Sequence, residues 1–181
     1  MRIHGSNLKT IALEKGVAPE RLAEGVQRTG LMGDAALRAV KNWMAGNDHP
    51  RCKAADIRKM AEVLGVEPAA ISKFECIVHY HRGSPRKVKL LTDLIRGKDV
   101  NTAMNLLTFN TKRAAVNVRK ALNAAVTEAQ QASADETLLV VGESRVDDGP
   151  RIKRIKEKDR GRAHPIIKRL AHITIALEQK A

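Results

Sequence analysis

The chain has 181 residues, enough for one domain of ordinary size or two small ones. Its 33 Lys+Arg against 20 Asp+Glu give a net charge of +13, which favours a polyanionic partner. Aromatics at 2% leave a core of Ala, Val, Leu and Ile, better suited to small helical packing than to a large enzymatic cleft. No apolar run approaches the roughly 18 residues of a spanning helix. The opening residues MRIHGSNLKTIALEKG lack the apolar stretch and small-residue cleavage site of a signal peptide. Cys52 and Cys76 are neither CxxC-paired nor in zinc spacing with a His, and read as reduced thiols of an intracellular protein.

The charge is uneven. From Arg82 to Ala181 there are 21 basic and 11 acidic residues; from Met1 to His81 there are 12 and 9. This asymmetry divides the chain into a near-neutral first part, about residues 1–74, and a strongly basic second part, about 75–181. The first part reads as short helices with clear stops. Asn7 to Lys15 ends at Gly16, and Glu20 to Arg28 follows a proline placed for a first helical turn. Asp34 to Ala45 ends at Gly46. Lys53 to Leu64 buries Ile57, Met60, Ala61 and Leu64 and ends at Gly65. Glu67 to Phe74 is expected to add a last helical turn or two.

In the second part Cys76 to His81 reads as a strand, with Ile77 and His79 on one face and Val78 and Tyr80 on the other. Ser84 and Pro85 mark a helix start, as N-cap and first helical residue. Val88, Leu91 and Ile95 then line one face as far as Gly97. A second helix spans about Val100 to Leu107. A third, about Thr111 to Ala132, carries Ala115, Val118, Leu122, Ala125 and Ala129 as its apolar stripe. Lys112, Arg113, Arg119 and Lys120 cluster away from that stripe with no interleaved acid, which points to RNA rather than to a merely solvated face. Thr137 to about Val146 is a strand. In the return strand Ile173, Ile175 and Leu177 alternate with His172, Thr174 and Ala176, so one buried face is expected. Between the two strands lies the densest charge of the chain, nine Lys/Arg from Arg151 to Arg169 against Glu157 and Asp159 alone. Arms of about a dozen residues would project about 40 Å, and phosphates around them would supply the order that the arm lacks by itself.

The residues RKVKLLTDLIRGKDVNTAMNLLTF, KRAAVNVRKALNAAVTEA, VDDGPRIKRI and GRAHPIIKRLAHITI resemble the large-subunit ribosomal protein twenty-two family over about residues 77–181. That resemblance implies an α+β fold: a three-helix and β-sheet domain with a long extended hairpin, about 146–172. It also implies binding to large-subunit ribosomal RNA, a part in subunit assembly, and a hairpin that lines the nascent-peptide exit tunnel. Neighbouring ribosomal proteins and the nascent peptide would be further partners, in a cytoplasmic ribosome. By position, the hairpin RNA contacts would be Arg151, Lys153, Arg154, Lys156, Lys158, Arg160, Arg162, Lys168 and Arg169. Arg82, Arg86, Lys87, Lys89 and Lys98 would contact RNA from the globular body. Where the family has a Pro-Arg-Ala run near the hairpin tip, this chain has Glu157-Lys158-Asp159.

The first part is foreign to that family pattern and reads as an extension. Leu22-Ala23, Val40, Trp43, Gly46, Pro50, Ile57, Met60-Ala61, Leu64-Gly65-Val66 and Ile71 resemble a lambda-repressor-type helix-turn-helix domain. This would place Arg38 and Lys41 near nucleic acid and gives a second reading, a DNA-binding regulator. The connection QRTGLMG is several residues longer than that family's tight turn, and Trp43 could equally be plain core. Neither a HExxH frame nor a Ser or Cys nucleophile motif is present, so no enzyme, cofactor, metal or small-molecule substrate is expected. The basic segment also lacks the Trp, Phe and Leu anchors of a membrane-surface element.

Overall fold

The computed structural model describes residues 1–179. The chain is α+β and divides into two compact units. The first is Met1–Phe74 with residues 128–139 and those described from Glu178 on; the second is Glu75–Thr127 with Val140–Leu177.

In the first unit, β1 (Arg2–Ile3) is followed by α1 (Gly5–Glu14), α2 (Pro19–Gly25), α3 (Asp34–Met44) and α4 (Ala54–Leu64). The helices bury a stripe each: Leu8 and Ala12, Leu22 and Ala23, Ala36, Ala39, Val40 and Trp43, then Ile57, Met60, Ala61 and Leu64. α1 approaches the end of α3 closely enough that a Cβ on Gly5 would collide with the Trp43 carbonyl, so only glycine fits there. The Trp43 indole is fully buried and donates from Nε1 to the Pro50 carbonyl at 2.6 Å. Asp56, also buried, accepts the Lys53 backbone N–H at 3.0 Å and meets the Arg28 guanidinium at 3.3 Å. It thereby caps α4 and ties the connection after α2 to it.

Two expectations for this unit change. The second helix stops at Gly25, because Gln27 to Met32 turns back on itself through mutual backbone bonds between Arg28 and Leu31. Glu67 to Phe74 is not a helical end. Pro68–Ile71 form one 3-10 turn, and β2 (Ser72–Arg82) begins at Ser72, where Ser72 and Lys73 pair antiparallel with Ile3 and Arg2.

In the second unit the strands are hydrogen-bonded in the order β2, β6 (Leu170–Gln179), β3 (Leu139–Asp148). Three helices supply its core stripes: α5 (Pro85–Ile95) with Val88, Leu91 and Ile95, α6 (Val100–Thr108) with Ala103 and Leu107, and α7 (Ala115–Gln131) with Val118, Leu122 and Ala125. Ser84 holds the N-cap position of α5, yet its hydroxyl makes no capping bond; Pro85, with its fixed φ, starts the helix. Arg96 bonds the Ser144 carbonyl and Asp93, and Gly97 and Lys98 exchange backbone bonds of 2.8 and 2.9 Å with Val141. These bonds fasten the end of α5 to β3. Being central, β6 has both faces covered. Thr174 and Ala176 are as buried as Ile173 and Ile175, where the alternating sequence suggested a solvated face.

Beyond Asp148 the chain forms a separate antiparallel ladder, β4 (Ile152–Glu157) with β5 (Ala163–Lys168), in register from Ile152 opposite Lys168 to Glu157 opposite Ala163. β3 and β6 belong to the sheet, so this ladder spans six residues a side, or about 20 Å, half the reach suggested by the sequence. At its tip Arg160 and Gly161 both take positive φ, 57° and 70°, as a tight hairpin turn with the native strand twist requires. The Arg162 N–H closes the turn on the Asp159 carbonyl at 3.3 Å.

Candidate nucleic-acid interface

The predicted RNA-binding cations do not stand in one row. Seven of them line two adjoining clefts of the second unit. One cleft is lined by Arg82 at the end of β2, Lys87 on α5, and Lys112 and Arg113 ahead of α7. The other is lined by Arg82 again, with Arg154 on β4 and Lys168 and Arg169 at the end of β5. The two share the Arg82-Gly83-Ser84 turn, and neither has an Asp or Glu in its wall. Residues far apart in sequence are therefore gathered into two clefts joined at one turn, a track of like charge of the kind that attracts a polyanion.

Lys112 and Arg113 sit there for a reason that periodicity misplaces. The sequence puts them on a helical face with Arg119 and Lys120, but α7 starts at Ala115 and the pair lies in the preceding loop. The Asn110 side chain accepts the Lys112 backbone N–H at 3.0 Å and the Lys112 carbonyl accepts from Ala115, so the loop is held by local bonds. Lys120 is exposed on α7, whereas Arg119 is half-buried and reaches the Thr108 hydroxyl at 3.5 Å. Arg86 and Lys89 are exposed on α5 outside both clefts, and Lys98 is exposed beside β3. On the hairpin, Lys153, Lys156, Lys158, Arg160 and Arg162 are exposed, and Arg151 lies 3.8 Å from Asp148. Arg38 and Lys41, from the first part, are both exposed on α3, while Trp43 on the same helix is core.

The histidines separate. His79 and His81 do not share a face, because Tyr80 takes φ 56° and breaks the alternation of β2. His81 turns into the first cleft, its Nδ1 accepting from the Asn117 amide at 2.8 Å, and its burial lowers its pKa from the ordinary imidazole value. His79 instead meets His172, ring nitrogens 3.3 Å apart, and the exposed Tyr80 ring stands edge-on to His172 with centroids 5.0 Å apart. Leu90 and Asn117, which also line the first cleft, carry no sequence signal of their own. Among the described residues no group of three or more His, Cys, Asp or Glu could hold a metal ion, and no helix is long and apolar enough to cross a membrane.

The second unit thus joins an α+β body, a two-stranded arm and two clefts lined by cations with no Asp or Glu. The family model described as Ribosomal protein L22p/L17e matches residues 76–178, more than half of the chain, and the chain belongs to that family. It is a family of structural ribosomal constituents and not a class of enzymes. Among curated relatives, the large ribosomal subunit protein uL22 of Magnetococcus marinus is 50% identical over 99 residues, covering 54% of this chain and 88% of its own length. That of Desulfitobacterium hafniense strain DCB-2 is 46% identical over 107 residues, covering 59% of this chain and 94% of its own. The match begins at Cys76, two residues after the last residue of the Met1–Phe74 segment.

Proposed function

We propose that the protein is an rRNA-binding constituent of the large ribosomal subunit in the cytoplasm, with the second unit as its RNA-binding part. The observation that carries this is the pair of clefts, where seven cations from β2, α5, the loop before α7 and the hairpin gather with no carboxylate among them. Each cation set against a phosphate releases condensed counterions, so the track supplies affinity without sequence specificity. The hairpin would pass between RNA segments toward the wall of the nascent-peptide exit tunnel. Ordering this exposed ladder against RNA would couple the protein's binding to subunit assembly. Residues 1–74 are an extension carried on the subunit surface, available to neighbouring ribosomal proteins or RNA.

Sedimentation of a lysate tests the reading. The protein should co-migrate with the large subunit in stoichiometric amount through moderate salt washes. Finding it mostly free, and enriched on particular DNA sites, would refute the ribosomal reading and favour a regulator that uses Arg38 and Lys41.

A further inference from the structure

The first cleft has a property that phosphate binding alone does not require. It is a concavity of about 630 Å³ in which the apolar side chains of Leu90 and Ala114 stand among the cations Arg82, Lys87, Lys112 and Arg113. Leu90 is 60% exposed on α5, a large apolar side chain turned out into the cleft rather than into the core. The combination here, apolar side chains and cations in a slot of small-ligand size, matches a base with its phosphates.

The polar groups at one end of the slot are fixed. Asn117 donates to His81 Nδ1 at 2.8 Å, so a neutral ring carries its proton on Nε2. Burial favours that neutral form. The ring approaches Gly83 so closely that a Cβ there would come within 2.7 Å of Nε2. Glycine at 83 thus leaves room for the imidazole Nε2 edge at this end of the cleft.

We propose that this cleft accepts a single unstacked nucleotide of the large-subunit RNA, its base against Leu90 and Ala114 and its flanking phosphates on Arg82, Lys87 and Lys112. The proposal rests on the rRNA-binding reading above and adds a base-specific pocket to a surface otherwise blind to sequence. A duplex cannot enter a slot of this size, so the nucleotide must come from a bulge, loop or junction.

The test uses the full-length chain assembled into large subunits, as wild type and as two variants that keep every charge. Ala114→Trp fills the slot; Leu90→Gln removes its apolar wall at an exposed position where folding is not at risk. The RNA backbone is footprinted with hydroxyl radicals, and the Watson–Crick edges are probed with base-modifying reagents. The expected result is one unpaired base inside the backbone footprint that is shielded in the wild type. It should become about tenfold more reactive in both variants, the scale set by the worth of stacking one base. The backbone footprint should stay unchanged. An intact footprint with identical base reactivities in all three proteins would overturn the pocket and leave RNA binding standing. Absence of any wild-type footprint around this face would overturn both.

Discussion

Replacing Arg82, Lys112 and Arg113 together by Gln examines the basic track most directly. All three side chains are exposed and, among the described residues, none is seen paired to a carboxylate. Each substitution should therefore shift unfolding by no more than about 0.5 kcal/mol. Binding should respond very differently. Each phosphate contact contributes about 0.7 to 0.9 to the slope of log affinity against log salt, so three lost contacts flatten that slope by about 2 to 3 units. Between roughly 50 and 200 mM salt the wild type should then lose about 20 to 40 times more affinity than the variant. The assay is filter binding to a large-subunit RNA fragment at four or five salt concentrations. A variant that folds normally yet keeps the wild-type slope would mean that these cations face solvent in the complex, and the track would lose its role.

Other consequences can be checked on the protein alone. Trp43→Phe deletes the indole N–H and leaves the Pro50 carbonyl without its 2.6 Å partner, so urea denaturation followed by circular dichroism should record a loss of about 1–3 kcal/mol. The Cys52 thiol is pushed far above its ordinary value, first by burial and then by the Asp56 and Asp48 carboxylates. Alkylation at mildly alkaline pH followed by mass spectrometry should modify Cys76 first and Cys52 only on unfolding. Because the unfolded chain alone can shed that proton, stability should fall as pH rises past the ordinary thiol range, and Cys52→Ala should flatten that fall; an unchanged profile would contradict the burial argument. Replacing residues 152–168 by a two-residue turn should leave the globular units folded, since β4 and β5 pair only with each other, while incorporation into the subunit drops sharply. Normal incorporation would contradict the role given to the hairpin.

Much of the α+β architecture is legible in the sequence because its signals are local. Gly16, Gly65 and Gly97 all take positive φ where helical periodicity stops, and the stripe Val88, Leu91, Ile95 is buried as spaced. What escapes is set by partners distant in sequence. Ser72 and Lys73 become strand because two residues at the start of the chain pair with them, and nothing in Glu67 to Phe74 announces those partners. The covered second face of β6 follows from its central place in the sheet, which its own alternation does not encode. The interface divides in the same way. Charge density marks the hairpin cations, but the gathering of Lys112 and Arg113 with Arg154 and Lys168 needs the fold. Tyr80 in positive φ, which sends His79 and His81 to different neighbours, is invisible to a period-two reading.

The acids near the tip, which look from sequence like a flaw in a cationic arm, are absorbed by the period of the strand. Opposed residues share a face, so Ile152, Arg154 and Lys156 stand with Lys168, Ile166 and His164. The other face carries Lys153, Ile155 and Glu157 with Ile167, Pro165 and Ala163. Glu157 thus falls on a face that is mainly apolar, where Ile155 is 79% exposed, and it leaves the cationic face without a carboxylate. Asp159 lies in the turn itself, where its carboxylate accepts the Arg160 backbone N–H at 3.0 Å and helps hold a conformation that is strained for a non-glycine residue. The two sides of the hairpin therefore differ: one carries Arg154, Lys156 and Lys168 with no carboxylate, and the other sets Lys153 and Glu157 among Ile155, Pro165 and Ile167. A two-stranded ladder of six pairs with its apolar side uncovered is marginal in water, so its order must come from what surrounds it. Under the proposed rRNA binding, this sidedness sets an expectation for that environment: phosphates along the Arg154 face and less charge along the Ile155 face.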